Sequence, residues 1–387
     1  MSFPKNTLFF ICTGEASGDL LGGNLAKAIL EIDSQIELTG VGGKHMREAG
    51  VSLIEDLSKM GIFGAFELIK HLKDIYTMAC TVKNYLKQHR PDLVILIDYA
   101  GFNLHIAKAA KKLGLKVLFY VSPQIWASRY GRIKRIRRYV DHMAVLYDFE
   151  AAIYKRENIP VTCVGHPLID IAKPTHDKTT NYQRFNFDPQ KPIVALFPGS
   201  RQQEITRLLP IILEAKKLIQ KAVPHVQFAL PIAPTLDKEQ LLKQLPSDIT
   251  VVENDTYNLL TISTVAIAAS GTATLEIGLF GIPLVILYKL ATPSYWLIKS
   301  ISKTRIIGLC NIIAQTVVAK EYLQKQATGE NIAREIIKIL LDVRYRQTII
   351  KQLERLKYSL GPGDSSKKVA ALAFQLLTQT VSKSKKI

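Results

Sequence analysis

The alternation of apolar strand-like runs with helical patterns predicts an α/β protein of two domains, each built on a parallel sheet. Several runs are continuously apolar, such as Leu93–Ile97 and Ile193–Phe197, which is typical of parallel strands buried on both faces. A length of 387 residues is enough for two separate cores. The polar, proline-containing stretch 171–190 lies between two halves of similar size, as expected for a linker.

We therefore expect residues 1–170 to form the first domain and residues 191–364 the second, with 171–190 as the linker. A last helix and tail, 365–387, follow Gly361-Pro362-Gly363. This helix is long enough to cross back onto the first domain.

The formal net charge of +18 comes from 51 basic and 33 acidic residues. Such an excess implies an anionic partner, which is a nucleic acid, an anionic membrane surface or a phosphorylated substrate. The four cysteines are scattered without a Cys-x-x-Cys pair, so we expect buried thiols in a reducing compartment.

No apolar run reaches the length of about 18 residues that a membrane span needs. The apolar run after the N-terminus is interrupted at once by Thr13-Gly14-Glu15, unlike the core of a signal peptide. We therefore expect a chain that is cytosolic or peripheral on a membrane.

The first strand, Leu8–Cys12, enters a glycine turn, Gly14-Glu15-Ala16-Ser17-Gly18-Asp19. This strand–turn–helix unit lacks the G-x-G-x-x-G fingerprint, so a nicotinamide enzyme is disfavoured. Further along, Asp98 directly follows the strand Leu93–Ile97. A carboxylate at a strand end is well placed for a general base, and the alternative is that Asp98 caps the next helix.

In the second half, the strand Ile193–Phe197 runs into Pro198-Gly199-Ser200-Arg201. Arg201 then lies just past the carboxyl end of a strand, where ligands bind in open α/β sheets, and a guanidinium there can hold a diphosphate. The alternative is a surface turn with a solvated arginine.

A second turn of this kind, Ser270-Gly271-Thr272, follows the strand Val265–Ala269 and opens a helix that carries Glu276. The free N–H groups at a helix start bind phosphate, and Glu276 can accept hydrogen bonds from a ribose diol. The alternative is an acidic residue that complements the helix dipole.

Two surfaces have both a structural and a functional interpretation. Apolar residues recur at helical spacing through 62–86, where Phe63, Phe66 and Ile69 either face the core or dip into a membrane. The run 129–138 is dense in cations, among them Arg129 and Arg132. It is either a solvated face or a helix that faces phosphate or lipid headgroups.

Two α/β halves with ligand turns at strand ends predict the GT-B architecture of glycosyltransferases. This architecture has two Rossmann-like domains, of which the second binds the nucleotide and the first binds the acceptor. The chain has no Asp-x-Asp sequence and no His, Cys or carboxylate cluster with metal-ligand spacing. We therefore expect no metal and no cofactor.

An ordered set of motifs over nearly the whole chain resembles the lipid-A-disaccharide synthase family. The motifs are Gly14-Glu15-Ala16-Ser17-Gly18-Asp19, Ile97-Asp98-Tyr99, Gly101-Phe102-Asn103, Ser122-Pro123-Gln124-Ile125-Trp126, Gly165-His166-Pro167, Pro198-Gly199-Ser200-Arg201 and Ser270-Gly271-Thr272-Ala273.

The resemblance implies an inverting, metal-independent glycosyltransferase of lipid A biosynthesis on the inner face of the cytoplasmic membrane. The donor would be UDP-2,3-diacylglucosamine and the acceptor 2,3-diacylglucosamine 1-phosphate (lipid X), with no nucleic acid as partner. The products would be a β-1,6-linked disaccharide phosphate and UDP.

By motif, the resemblance assigns catalysis to Asp98 and Glu15, with Asp98 as the expected base and Glu15 in reserve. The expected UDP-sugar site is a larger set: Gly199, Ser200, Arg201, Ser270, Gly271, Thr272, Glu276 and Asn311. The expected acceptor and membrane surface is Phe63, Phe66, Ile69, Arg129 and Arg132. Ala100, Ser128 and Cys310 depart from the commoner family residues; we expect these departures to affect local loop shape and to remove no reactive group.

Two other classes stay open at this point. One is another UDP-sugar enzyme of the GT-B fold, a murein-precursor transferase or a UDP-sugar epimerase. The other is a basic protein without enzymatic activity that binds nucleic acid or a membrane.

Overall fold

In a computed structural model, the chain folds into two compact α/β units, as the strand and helix patterns predict. The structure describes residues 6–57, 72–126, 130–289 and 306–384. Unit 1 comprises Met1–Pro167 and Pro362–Ile387, and unit 2 comprises Leu168–Gly361. The last helix of the chain therefore belongs to unit 1.

Unit 1 is built on a seven-stranded parallel sheet of order β3-β2-β1-β4-β5-β6-β7. Its strands are β1 (Leu8–Cys12), β2 (Glu37–Gly42), β3 (Ser52–Asp56), β4 (Leu93–Ile97), β5 (Lys116–Tyr120), β6 (His142–Val145) and β7 (Val161–Cys163). Its helices are α1 (Ala16–Ile32), α2 (Lys44–Glu48), α3 (Leu72–His89), α4 (Ala100–Lys112), α5 (Arg132–Tyr139), α6 (Asp148–Arg156) and, at the end of the chain, α16 (Ser365–Ser384).

Strand β1 lies between β2 and β4, with Phe10 opposite Val94 in the register of the β1–β4 pair. The sheet order reverses at this pair, and such a reversal opens a crevice beyond the carboxyl ends of the strands. Helix α16 packs on α1, and the rings of Phe9 and Phe374 lie 5.7 Å apart.

Unit 2 is built on a six-stranded parallel sheet of order β10-β9-β8-β11-β12-β13, which reverses between β8 and β11 in the same way. Its strands are β8 (Ile193–Phe197), β9 (Gln227–Ile232), β10 (Ile249–Glu253), β11 (Val265–Ala269), β12 (Leu284–Tyr288) and β13 (Lys320–Leu323). Its helices are α7 (Leu168–Ile171), α8 (Lys178–Arg184), α9 (Gln202–Ala222), α10 (Lys238–Leu242), α11 (Thr256–Ile262), α12 (Thr272–Leu279), α13 (Leu309–Ala314), α14 (Gly329–Leu341) and α15 (Val343–Ser359).

The stretch 171–190, predicted as a linker, lies in unit 2 and contains helix α8. Its Asn181 is fully buried, and the side-chain amide donates to the Thr261 hydroxyl at 3.0 Å. Phe187 of the same stretch packs in an apolar cluster with Leu259 and Ile262 of α11, so hydrogen bonds and apolar contacts together hold the stretch on this helix.

The described part of the apolar segment 62–86 faces the core of unit 1. Met78, Val82 and Leu86 on α3 are buried, whereas Tyr76 is exposed. Helical spacing in this part therefore reflects a core-facing helix. Phe63, Phe66 and Ile69 lie outside the described residues.

Among the described residues, no helix is long and apolar enough to cross a membrane.

Candidate active site

A cavity of about 700 Å³ opens in unit 2 beyond the carboxyl ends of its strands. The turns that follow β8, β9, β10 and β11 form its wall, so it lies at the point where the sheet order reverses. This is the position at which doubly wound sheets bind ligands. Of the predicted UDP-sugar residues, the cavity lining contains Gly199, Ser200, Arg201, Ser270, Gly271, Thr272 and Glu276.

The turn after β8 is held from both sides. Its Gly199 has a φ of +127°, a conformation that favours glycine. The Thr235 hydroxyl donates to the Ser200 carbonyl at 2.6 Å, and the Glu204 carboxylate accepts from the Ser200 and Arg201 N–H groups at 2.9 and 3.3 Å. The Arg201 side chain is 75% exposed and meets Glu204 at 3.4 Å. Within the part of the chain that the structure describes, the ion pair of Arg201 is thus a weak surface pair.

The opposite wall is the start of helix α12. Gly271 is its N-cap residue, and no side chain of the described residues caps the helix there. The first N–H groups of a helix have no acceptor within the helix. In α12 these are the N–H groups of Thr272 and Ala273, and both residues line the cavity. A Cβ atom at Gly271 would meet no atom within 4 Å. The helix start therefore offers anion-binding donors in open space.

Glu276 lies one turn further along α12 and also lines the cavity. It accepts a hydrogen bond from the Tyr257 hydroxyl at 3.1 Å. Burial raises the pKa of the Glu276 carboxyl, and the hydrogen bond from Tyr257 counteracts part of this rise. The pair forms a fixed acceptor group beside the anion-binding donors.

The structure does not bring Asn311 to this cavity. Asn311 is fully buried, and its amide donates to the Ala319 carbonyl and to Glu321 at 2.7 Å each. Its amide oxygen accepts from the N–H groups of Val318 and Ala319 at 2.8 Å each. These contacts use the hydrogen-bonding capacity of the amide, so Asn311 fixes the segment that leads into β13.

Sequence reasoning missed part of the cavity wall. Lys173 and Thr175 come from the predicted linker, and Asn258 holds Thr175 by accepting from its N–H group at 3.0 Å. No sequence signal marks this contact, because it depends on tertiary packing. The residues 254–257 do follow a strand, β10, and the rule that ligands bind at strand ends would have found them.

In unit 1, the predicted catalytic residues Glu15 and Asp98 lie at the ends of the adjacent strands β1 and β4. The Tyr99 ring packs against Gly14, where any added Cβ atom would collide with it. Burial raises the pKa of Tyr99, and the negative charge of Glu15 raises it further. The turn after β1 and the end of β4 are therefore in direct contact.

Asp98 and Tyr99 both have a left-handed backbone, with φ values of +48° and +44°. Such values are uncommon for residues other than glycine and cluster at functional sites. The buried Asn103 amide stabilises this turn by donating to the carbonyls of Ile97 and Asp98 at 3.0 and 2.8 Å. Burial raises the pKa of the Asp98 carboxyl, while a hydrogen bond from the Tyr99 backbone opposes this rise.

Asp19, the last residue of the glycine-turn motif, has a different role from Glu15. Its carboxylate accepts from the backbone N–H groups of Gly43, His45 and Met46 at 2.6, 2.9 and 3.1 Å. Asp19 therefore caps helix α2 and joins it to α1. The motif combines one exposed carboxylate at the crevice with one buried structural carboxylate.

A buried acid lies beside the motif Ser122-Pro123-Gln124-Ile125-Trp126 of unit 1. Glu150 accepts from the Leu146 N–H group at 3.3 Å and is close to Ser122 and Trp126. Burial raises its pKa to about 7, and the hydrogen bond from the Leu146 N–H group opposes this rise. Nearby, the rings of Tyr147 and His166 lie 5.6 Å apart. Glu150 thus stabilises the loop that follows β5.

The run 129–138 forms helix α5 in its described part. Ile133 and Ile136 are buried, while Arg132 is partly exposed, so the cations lie on the outer face. Arg129 lies outside the described residues. Burial lowers the pKa of His105 on α4, and three nearby cations lower it further. We call these cations the cationic patch: Lys83, Lys108 and Arg135.

Within the described residues, no group of three His, Cys, Asp or Glu side chains could hold a metal ion. The four cysteines are free thiols.

Comparison with known proteins bears on the family and the fold of the chain. The chain is 48% identical to the lipid-A-disaccharide synthase of Coxiella burnetii (strain Dugway 5J108-111) over 96% of this chain and 99% of that protein. Among solved structures, it resembles a UDP-GlcNAc 2-epimerase from Neisseria meningitidis bound to UDP-GlcNAc, with a TM-score of 0.62, 14% identity and coverage of 95% and 99%. It also resembles the kitacinnamycin glycosyltransferase, with a TM-score of 0.64, 15% identity and coverage of 97% and 100%.

These likenesses confirm the predicted GT-B fold of two Rossmann-like domains. The family profile of lipid-A-disaccharide synthetase matches residues 9–374. The chain therefore belongs to the lipid-A-disaccharide synthetase family.

Proposed function

We propose that this chain is a lipid-A-disaccharide synthase that uses UDP-2,3-diacylglucosamine as donor and 2,3-diacylglucosamine 1-phosphate (lipid X) as acceptor. The products are the β-1,6-linked disaccharide phosphate and UDP. Family membership supports the reaction. The observation that carries the proposal is the cavity of unit 2, which combines Arg201, the start of α12 and Glu276.

The donor nucleotide binds in this cavity. Arg201 and the free N–H groups of Thr272 and Ala273 face the diphosphate, where they neutralise its charge without a metal ion. Glu276, held by Tyr257, accepts hydrogen bonds from the ribose diol. As the sugar leaves, charge builds up on the diphosphate, and these fixed donors stabilise the transition state.

The acceptor binds in unit 1, where Asp98 is the general base. Asp98 takes the proton of the acceptor 6-hydroxyl while that oxygen attacks the anomeric carbon of the donor. The attack comes from the face opposite the diphosphate while the bond between this carbon and the diphosphate oxygen breaks. The anomeric centre is therefore inverted, and UDP leaves with the bonding electrons. The raised pKa of the Asp98 carboxyl makes it a stronger base than an ordinary aspartate. Glu15 is the reserve candidate, since it is exposed at the same crevice.

The chain associates peripherally with the anionic inner face of the cytoplasmic membrane, where both glycolipids reside. The cationic patch supports this part of the proposal, because none of its three cations forms an ion pair among the described residues. Cations near a membrane surface attract anionic headgroups, and each contributes about 1 kcal/mol. The patch and the net charge of +18 favour a lipid surface over nucleic acid, since no reader motif is present.

The test is a reaction of the purified chain with both diacylglucosamine substrates in detergent, with and without EDTA. Mass spectrometry should detect UDP and the tetraacyl disaccharide phosphate in equal amounts, unchanged by EDTA. Isomerisation of a UDP-sugar without release of UDP would identify an epimerase instead. Loss of turnover in EDTA, restored by a divalent cation, would contradict the metal-free mechanism.

A further inference from the structure

The acidic residue Glu204 contacts the Arg201 guanidinium, one of the groups proposed to bind the diphosphate, and two backbone N–H groups of the same turn. One carboxylate oxygen, Oε2, accepts from the N–H groups of both Ser200 and Arg201. The other oxygen, Oε1, lies 3.4 Å from Arg201 Nη1. The carboxylate is therefore in the position of an anion bound at this turn.

The turn is shaped around this carboxylate. A Cβ atom at Gly199 would lie 2.5 Å from both Cβ and Oε2 of Glu204. Because glycine has no Cβ atom, Gly199 leaves room for the Glu204 side chain to fold back beneath the turn. Glu204 itself lines the cavity, and its side chain is 26% exposed, so it is close to any ligand there.

The two oxygens differ in how firmly they are held. The hydrogen bonds of Oε2 belong to the capping of helix α9, in which a glutamate three residues past the N-cap accepts from the N-cap N–H group. The contact of Oε1 is an exposed ion pair, and such pairs contribute at most about 1 kcal/mol. A ligand that carries two negative charges can therefore replace Oε1 at Arg201 while Oε2 keeps the turn in place.

We propose that Glu204 is a positioning residue with two separable roles: Oε2 fixes the turn 198–201, and Oε1 holds the Arg201 guanidinium until a diphosphate displaces it. The assignment of that diphosphate to a UDP-sugar rests on the proposed function. We call the replacement of Oε1 by the diphosphate at Arg201 the exchange. The exchange limits affinity for the nucleotide, because Arg201 must lose its contact with Glu204 before it binds the diphosphate. It also keeps the guanidinium at the cavity before the ligand arrives.

Two variants separate these roles. Glu204→Gln keeps an oxygen that can accept from both N–H groups but removes the negative charge. Glu204→Ala removes the charge and the oxygen together. Glu239→Gln is the matched control, since Glu239 is exposed on α10 and does not line the cavity. A thermal melt of each variant establishes that it folds.

Calorimetry then measures the dissociation constants of UDP, inorganic pyrophosphate and uridine for each variant. We expect Glu204→Gln to bind UDP and pyrophosphate up to about fivefold more tightly than the parent chain, the range of an exposed ion pair. The gain should shrink in high salt, and uridine binding should stay unchanged. Glu204→Ala should bind both diphosphates more weakly than Glu204→Gln.

The outcomes distinguish the exchange from the proposed function. If the parent chain binds UDP and Glu204→Gln binds it no more tightly, the exchange is refuted while the nucleotide site stands. If pyrophosphate binds with the expected pattern and UDP does not bind, the exchange stands and the proposed function fails. Equal tightening in the Gln and Ala variants would refute the role of Oε2, and binding of neither diphosphate would refute both proposals.

Discussion

The replacement Arg201→Ala tests the donor site most directly, because the structure separates its effect on binding from its effect on folding. The Arg201 side chain is 75% exposed, and its described ion pair is the 3.4 Å contact with Glu204. Exposed pairs of this kind contribute about 0.2–1 kcal/mol to stability. The turn keeps its hydrogen bonds to Glu204 and Thr235, since these use backbone groups of Ser200 and Arg201. The melting temperature should therefore change little.

The effect on nucleotide binding should be larger. A hydrogen bond to a charged group contributes about 1.5–3 kcal/mol, which corresponds to UDP binding about 10- to 150-fold more weakly. Uridine has no diphosphate, so its affinity should be unchanged. The assay is calorimetry with UDP and uridine at low salt, because screening reduces the contribution of an exposed cation.

Arg355→Ala is the matched control, as Arg355 is exposed in unit 2 and does not line the cavity. If Arg201→Ala binds UDP as tightly as the control, the guanidinium does not contact the diphosphate, and the start of α12 would have to hold it alone. If uridine binding falls as much as UDP binding, the replacement has changed the shape of the cavity rather than its charge.

Three further predictions concern the base, the turn and the membrane surface. Asp98→Asn should lower kcat by about 10²–10⁴ without changing UDP affinity, and substantial turnover of this variant would transfer the role of the base to Glu15. In the parent chain, kcat should fall as the pH drops through the raised pKa of Asp98, which lies above the range of an ordinary aspartate. Gly199→Ala should destabilise unit 2 by about 1–3 kcal/mol in denaturant melts, because the φ of Gly199 is +127°. The control Gly271→Ala, at which a Cβ atom meets nothing within 4 Å, should melt like the parent, and equal melting of the two variants would refute backbone strain at position 199. Replacing the three cations of the cationic patch with Gln should lower co-sedimentation with anionic vesicles roughly tenfold or more, while co-sedimentation with neutral vesicles and the melting temperature should not change. Undiminished binding to anionic vesicles would place the membrane contact elsewhere.

The strands, and the turns that follow them, could be predicted because burial leaves a direct trace in the sequence. The buried strands β4, β8 and β11 are continuous apolar runs. Because parallel strands end at a common edge, Arg201 and Thr272 could be placed together without knowledge of the tertiary structure.

Two of the four edge strands, β3 and β13, left no such trace. β3 and β13 are mostly half-buried and carry charged residues such as Glu55 and Lys320, so their pattern resembles that of a loop. The contribution of Lys173 and Thr175 depends on the contact of the predicted linker with Asn258. Asn311, assigned to the UDP-sugar site by the resemblance, has its side-chain amide hydrogen-bonded to the segment before β13 and to Glu321, and the sequence does not mark these contacts.

The two sheets share one topology and differ in the chemistry at the point where the strand order reverses. In unit 2 this point carries a loosely held arginine and free helix N–H groups, which suit a leaving diphosphate. In unit 1 it carries Glu15, and it carries Asp98 on a turn with a left-handed backbone; carboxylates suit a hydroxyl that must lose a proton. The contact between Arg201 and Glu204 illustrates why these groups need separate supports, since a carboxylate within reach of a guanidinium pairs with it. A base paired in this way would have a lowered pKa and would be a weaker proton acceptor. Because each sheet positions its own group through its own turn, replacing Asp98 should leave UDP affinity intact, and replacing Arg201 should leave the pH dependence of the base intact.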